Sequence, residues 1–398
     1  MGLWDFDAAV DRRGTQSVKW DECAAGELPM WVADMDFPTA PAVREAVERR
    51  ASQGVFGYAL VPDEWYDAYI GWWQERHGFK MERGWLAFST GVVPIISSVV
   101  RKLTTPAEKV LIQTPVYNIF YNSILNAGRR VLESPLRYRD GVYEVDFLDL
   151  EEKLADPQTT LMILCNPANP VGKIWDRETL ERIGELCWEH RVTVVSDEIH
   201  CDLTDPGCSY VPFASVSDHC RDNSVTCMAP TKAFNIAGLQ TAAVCVPEPH
   251  LRARVVRAIN SDEVAEPNVF AAVAAVAAFT AGAPWLDDLR AYLAQNKQLV
   301  RESLGDGALG ITVVPSQATY LLWLDCTGLC GADADGFCEF LRKETGLVLS
   351  AGSQYGEAGL AFLRMNVACP RVRVKDGVER LRRGALAYRG SERYPAKP

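Results

Sequence analysis

Short apolar runs ending on a polar or small residue recur along this chain, and they narrow its fold more than any other feature. Val110–Gln113, Leu161–Cys165 and Val192–Ser196 are of this kind. A strand buried on both faces reads so, because it has no solvent side to keep polar. Trp85–Ser89 is a further short strand, and Val225–Met228 and Thr241–Val246 flank a loop. Helical stretches lie between, at Val92–Leu103 and Arg177–His190. Strands alternating with helices predict an α/β fold with a mostly parallel, doubly wound sheet.

The pattern changes near Pro284. A long helix, Trp285–Leu304, leads into strands at Tyr320–Leu324 and Leu360–Met365 and helices at Ala334–Thr345 and Val374–Tyr388. These predict a smaller α+β domain. The expected division is an arm with part of the small domain over 1–50, a large domain over 51–284 and a small domain over 285–398. In the arm, Thr39 is expected to cap a helix and Pro41 to sit in its first turn. Val269–Phe279, rich in alanine, reads as a buried helix, and the tail after Arg389 as loose.

In an open α/β sheet, ligands bind at the carboxyl ends of strands. The residues there carry chemistry. Lys232 stands in the loop after Val225–Met228, next to Thr231. Most lysines are solvated, but one held at a strand end suits Schiff-base chemistry with a carbonyl. Asp197 directly follows Val192–Ser196, where an acid needs a partner to be buried. Thr90-Gly91 opens a helix whose first amides, at Gly91, Val92 and Val93, suit a phosphate. Tyr117 and Asn169 follow two further strands, one offering a flat ring and one an amide donor. His200 lies just past Asp197. Arg364 interrupts an apolar strand and needs an anion, either a structural carboxylate or a bound one.

The segments Pro29-Met-Trp-Val-Ala-Asp-Met-Asp-Phe37, Gly54-Val-Phe-Gly-Tyr58, Asn166-Pro-Ala-Asn-Pro-Val-Gly-Lys173, Ser196-Asp-Glu-Ile-His200, Ala229-Pro-Thr-Lys-Ala-Phe-Asn235 and Phe362-Leu-Arg-Met-Asn366 occur in this order. Together they resemble the fold-type I pyridoxal-phosphate enzymes, the aspartate aminotransferase superfamily. The resemblance is closer to the MalY/PatB branch of cystathionine β-lyase-like C–S lyases, from about Trp20 to Arg389. His200 marks that branch, since the broad superfamily usually has tyrosine there. The resemblance implies pyridoxal 5′-phosphate on Lys232. Thr90, Gly91, Val92, Val93, Tyr117, Asn169, Asp197, His200 and Thr231 are implied to surround it. Tyr58 is implied to reach a partner subunit's cofactor across a homodimer interface, and Arg364, Ala33 and Asp34 to meet an amino-acid substrate. It implies β-elimination to thiol, pyruvate and ammonia. Transamination needs nearly the same residues, and a non-catalytic regulator or binding protein is a third reading.

Composition removes other classes. The net charge of −11 over 398 residues disfavours nucleic acid and anionic membranes. No G-x-x-x-x-G-K-[ST] occurs, which sets aside a P-loop reading of Lys173 and a helicase reading of Asp197-Glu-Ile-His200. The early acids Asp5 and Asp7 and the shortness of the longest apolar run predict a cytoplasmic protein without signal peptide or membrane span. The 12 cysteines form no C-x-x-C pair, so buried reduced thiols are expected, with no metal site. His200, Cys201 and Cys208 match no standard zinc spacing.

Overall fold

The computed structural model describes residues 4–305 and 307–391. The expected tail beyond Ser391 lies outside these residues.

Seven strands form the main sheet, in the spatial order Leu86–Ser89, Ala242–Cys245, Ser224–Met228, Thr193–Asp197, Thr159–Cys165, Lys109–Thr114, Arg130–Pro135. Neighbours are parallel except around Ala242–Cys245, which runs antiparallel to both of its partners. Ser89 pairs with Ala242, and Met228 with Ala243. The sheet's other six strands therefore all end at one edge, where the antiparallel strand begins. This α/β architecture is the doubly wound one read from the apolar runs. The central strands are buried almost throughout, and the apolar run 161–165 within Thr159–Cys165 carries no polar alternation because it has no solvent face.

The helix Val92–Leu103 forms over the predicted residues, with Gly91 as its N-cap and no side-chain cap. Pro94 is tolerated in its first turn, where an N–H would be unpaired anyway. The Ala-rich helix Ala271–Ala281 is packed against Pro41–Ser52 and Asp63–His77. Asp63–His77 buries Trp65, Tyr69, Trp72 and Trp73. Thr39 does not cap Pro41–Ser52. The N-cap is Ala40, no side chain caps the helix, and the Thr39 hydroxyl is buried without a partner.

A second sheet of four strands has the order Thr312–Val313, Leu321–Asp325, Phe362–Asn366, Ser350–Ala351. Phe362–Asn366 starts two residues later than expected, because a 3-10 turn occupies Glu357–Gly359. Its core draws in Trp20, Leu28 and Met30 from the arm alongside Val300, Leu341 and Leu381. The arm also adds a two-residue parallel pairing, Leu28–Pro29 with Leu347–Val348.

Charge fixes the rest of the arm. Asp36 is buried, and its Oδ1 accepts from Trp20 Nε1 at 2.8 Å and Arg12 at 2.9 Å. Its Oδ2 lies 3.2 Å from both buried Lys19 and Arg373. Burial alone would raise the Asp36 pKa, but Lys19, Trp20, Arg12 and Arg373 outweigh it and hold the carboxyl below its ordinary range. A depressed pKa stabilises the fold above the unfolded value and ceases to do so as pH falls. Asp36→Asn leaves cations buried with one counter-charge fewer. We expect it to lower unfolding stability by roughly 3 kcal/mol at pH 7. In urea titrations that difference should shrink below about pH 4.

Candidate active site

The common strand edge holds a cavity of about 280 Å³. Thr90, Gly91, Val92, Val93, Tyr117, Asn169, Asp197, His200, Thr231, Lys232 and Ala33 all line it. Eleven of the residues singled out in the sequence thus converge from segments far apart in the chain.

Lys232 follows the strand Ser224–Met228, and its Nζ donates to the Ala33 carbonyl at 2.6 Å. Burial, with help from the Arg364 charge, lowers its pKa to about 8, although Asp34 and Asp197 pull the other way. Asp197 ends its own strand and is buried. Burial pushes its pKa up to about 6 against the Ile199 N–H and the Lys232 charge. Its Oδ1 accepts from Ile199 N–H at 3.1 Å, and among the described residues it forms no ion pair. Glu198 faces elsewhere, accepting from Ser196, Tyr210 and the Phe213 amide.

His200 is buried, its Nδ1 lacks a partner, and burial lowers its pKa to about 3, so the ring is neutral at physiological pH. Burial raises the Tyr117 phenol to about 12. Asn169 sits in a turn set by Gly172, at φ +68°, where a Cβ would come within 2.6 Å of Ser316. A side chain there would push the turn off the loop behind it.

Arg364 is buried without a carboxylate partner among the described residues. Nη1 donates to Asn169 Oδ1 at 3.2 Å, Nη2 to Trp31 O at 2.9 Å, and Nε is unpartnered. The guanidinium also lies 4.9 Å from the Tyr355 ring centroid. It does not line the cavity itself but stands behind Asn169. Arg364 orients the Asn169 amide with its oxygen inward to the guanidinium, which leaves Nδ2 as a donor.

Besides Arg364, two expected residues do not line the cavity. Asp34 is turned to Arg12 at 2.7 Å and Lys19 at 3.7 Å, so its carboxylate belongs to the arm's ion network. Tyr58 is fully exposed, in the stretch with Val55, Phe56 and Leu60. Residues not anticipated also line the cavity, among them Ala237 and Gln240. Gln240 could be placed only from the strand direction, since it precedes the antiparallel Ala242–Cys245. A separate cavity of about 100 Å³ holds His77, Cys201, Asp202 and Cys208 beside Arg76 and Arg290. Ligand-type atoms of His77, Cys201 and Asp202 lie within 4.8 Å of one another. Asp202 Oδ1 already accepts from Trp72 Nε1 and lies 2.9 Å from His77 Nε2.

The profile of class I and II aminotransferases matches residues 28–381. The chain belongs to this family. It is 43% identical to cystathionine beta-lyase PatB of Bacillus subtilis over 383 residues, covering 95% of this chain and 99% of that one. A PLP-bound putative aminotransferase from Clostridium difficile superposes with a TM-score of 0.93 at 35% identity, over 96% of this chain and 100% of that one. The PLP-bound C–S lyase of Staphylococcus hominis superposes at 0.89 and 30% identity, over 96% and 98% of the two chains. Among the described residues no helix is long and apolar enough to cross a membrane.

A lysine that titrates near pH 8 is about half free base there, whereas an ordinary one is roughly 0.4% free base. Trace acetic anhydride at pH 8, read by peptide mass spectrometry, should therefore modify Lys232 well ahead of surface lysines in the cofactor-free protein.

Proposed function

We propose that the chain is a pyridoxal 5′-phosphate-dependent C–S β-lyase. It would cleave cystathionine or a related cysteine S-conjugate to a thiol, pyruvate and ammonia. The observation that carries the reading is the 43% identity with a cystathionine β-lyase along 95% of the chain. The site fits the cofactor on its own terms: a buried carboxylate without an ion pair among the described residues, an unpartnered buried His200 nitrogen, a helix start without a side-chain cap, and a lowered lysine pKa. When bound, the cofactor supplies a carbonyl for amino groups and an electron sink for a carbanion.

This chain's residues then have distinct tasks. The amides of Gly91, Val92 and Val93, with Thr90 beside them, would hold the phosphate at a positive helix end. Asp197 would keep the ring nitrogen protonated, and Tyr117 would flank the ring. Asn169 and His200 would stand near the phenolic oxygen, and Thr231 beside the lysine. Lys232 would hold the cofactor and would take the substrate α-proton, a task its pKa of about 8 suits. Arg364, behind Asn169, would bind the substrate carboxylate through its unpartnered Nε and the guanidinium hydrogens not given to Asn169 and Trp31.

We read Tyr58 as completing the phosphate site of a second copy, in a cytoplasmic homodimer, because its ring is spent on nothing in its own chain. We also take residues 51–284 and 285–398 as two domains, the latter bringing Arg364.

The test is L-cystathionine with cofactor-loaded protein and no keto acid. Equal amounts of pyruvate and thiol are expected. Dependence on an added keto acid would make the chain an aminotransferase instead, and no turnover with either would favour a binding role. Arg364→Ala should raise KM about tenfold to a hundredfold, as loss of charged hydrogen bonds does. Protonating Asp197 removes the partner of a protonated ring nitrogen. Cofactor affinity, followed by absorbance, should therefore fall as pH drops below about 6.

A further inference from the structure

The carbonyl of Ala33 serves two donors. Lys232 Nζ donates to it at 2.6 Å, and the Tyr320 hydroxyl donates at 3.0 Å. Its direction is imposed from behind. The Asn366 side-chain amide donates to the carbonyls on either side, Val32 at 2.5 Å and Asp34 at 2.7 Å. The chain bends at residues 32–34, so the carbonyls of 32 and 34 converge on one side-chain nitrogen while that of 33 is left on Lys232 and Tyr320. Asn366, by gripping residues 32 and 34, holds this bend with the residue 33 carbonyl on the lysine. Asn235 secures the next stretch, accepting from Met35 N–H and donating to the Met35 and Phe37 carbonyls. Tyr320 is fully buried, and its hydroxyl makes no other hydrogen bond among the described residues.

We propose that Tyr320 and Asn366 are positioning residues that act on Lys232 through the Ala33 carbonyl. Asn366 aims the carbonyl at the free amine, and Tyr320 shares it and so weakens its hold on the ammonium form. The inference rests on the reading of Lys232 as the working amine. A carbonyl that accepts only from an ammonium stabilises the charged form more than one already engaged by a phenol. The other charged and titratable groups whose fields reach the amine are Asp34 from the arm, Asp197 and His200 from the neighbouring strand end, and Arg364 from the second sheet, while Tyr117 lines the same cavity. Removing the Tyr320 hydroxyl deletes none of these groups, though its own charge interactions reach Asp34, Arg364 and Tyr117.

Competitive trace acetylation of the cofactor-free full-length chain, compared with the exposed lysines of the same sample, reads the amine directly. In Tyr320→Phe, Lys232 labelling at pH 7 should fall roughly threefold to tenfold, the scale of one hydrogen bond moved to the charged form. In Asn366→Ala the carbonyl is free to turn away and labelling should rise. An unchanged profile in Tyr320→Phe overturns the proposal even if Asn366→Ala fails to fold. In the cofactor-loaded enzyme, the acidic limb of the kcat–pH profile should move upward in Tyr320→Phe, and an unmoved limb counts equally against it. Labelling uses no substrate. A shifted profile with no lyase turnover would therefore sink the proposed reaction and leave this inference standing.

Discussion

Two opposite charges are held at one edge of a sheet without touching, and the rest of the structure serves that arrangement. Asp197 is buried at one strand's end and Lys232 is half-buried in the loop past the adjacent strand, yet among the described residues no ion pair joins them. Burying either charge alone is costly. The cost appears as a carboxyl pushed up and an amine pushed down, both toward neutrality. A fold that keeps such a pair apart has left room between them. The parallel strands supply the rigidity, since their buried faces and ladders leave the strand ends little freedom.

The arm turns this edge into a closed site. Its backbone at residues 31–37 passes between the two sheets, bonded to Arg364 and Asn366 on one side and to Lys232 and Asn235 on the other. The Asp36 network holds its far end against Lys19, Arg12 and Arg373. Side-chain amides, rather than apolar packing, set the carbonyl directions here. The segment therefore contributes backbone atoms to the site, and its carboxylates pair with the arm's own cations, although the Asp34 charge still reaches Lys232.

The sheet was legible because strands buried on both faces have no reason to carry polar residues. The edge strand Arg130–Pro135, with Arg130, Glu133 and Ser134 among its six residues, escaped for the same reason. The direction of Ala242–Cys245 was not readable, since an apolar run looks the same either way, and Gln240 was missed with it. Arg364 stood out as a charge inside an apolar strand. Tyr320 did not, because an aromatic opening such a strand reads as core until its hydroxyl is placed. Ala33 was expected to contact substrate, yet what it offers is a peptide carbonyl, which no residue type announces. Asp34 looked like a site acid from its neighbours in the chain, but the nearby cations Arg12 and Lys19 claim it.

The account depends on one amine, and covalent trapping tests it most directly. The purified protein with bound pyridoxal phosphate would be reduced with borohydride, digested, and the peptide carrying the pyridoxyl group sequenced. The account predicts a single tagged residue, Lys232. A tag on any other lysine, or none at all with the cofactor bound, would contradict it.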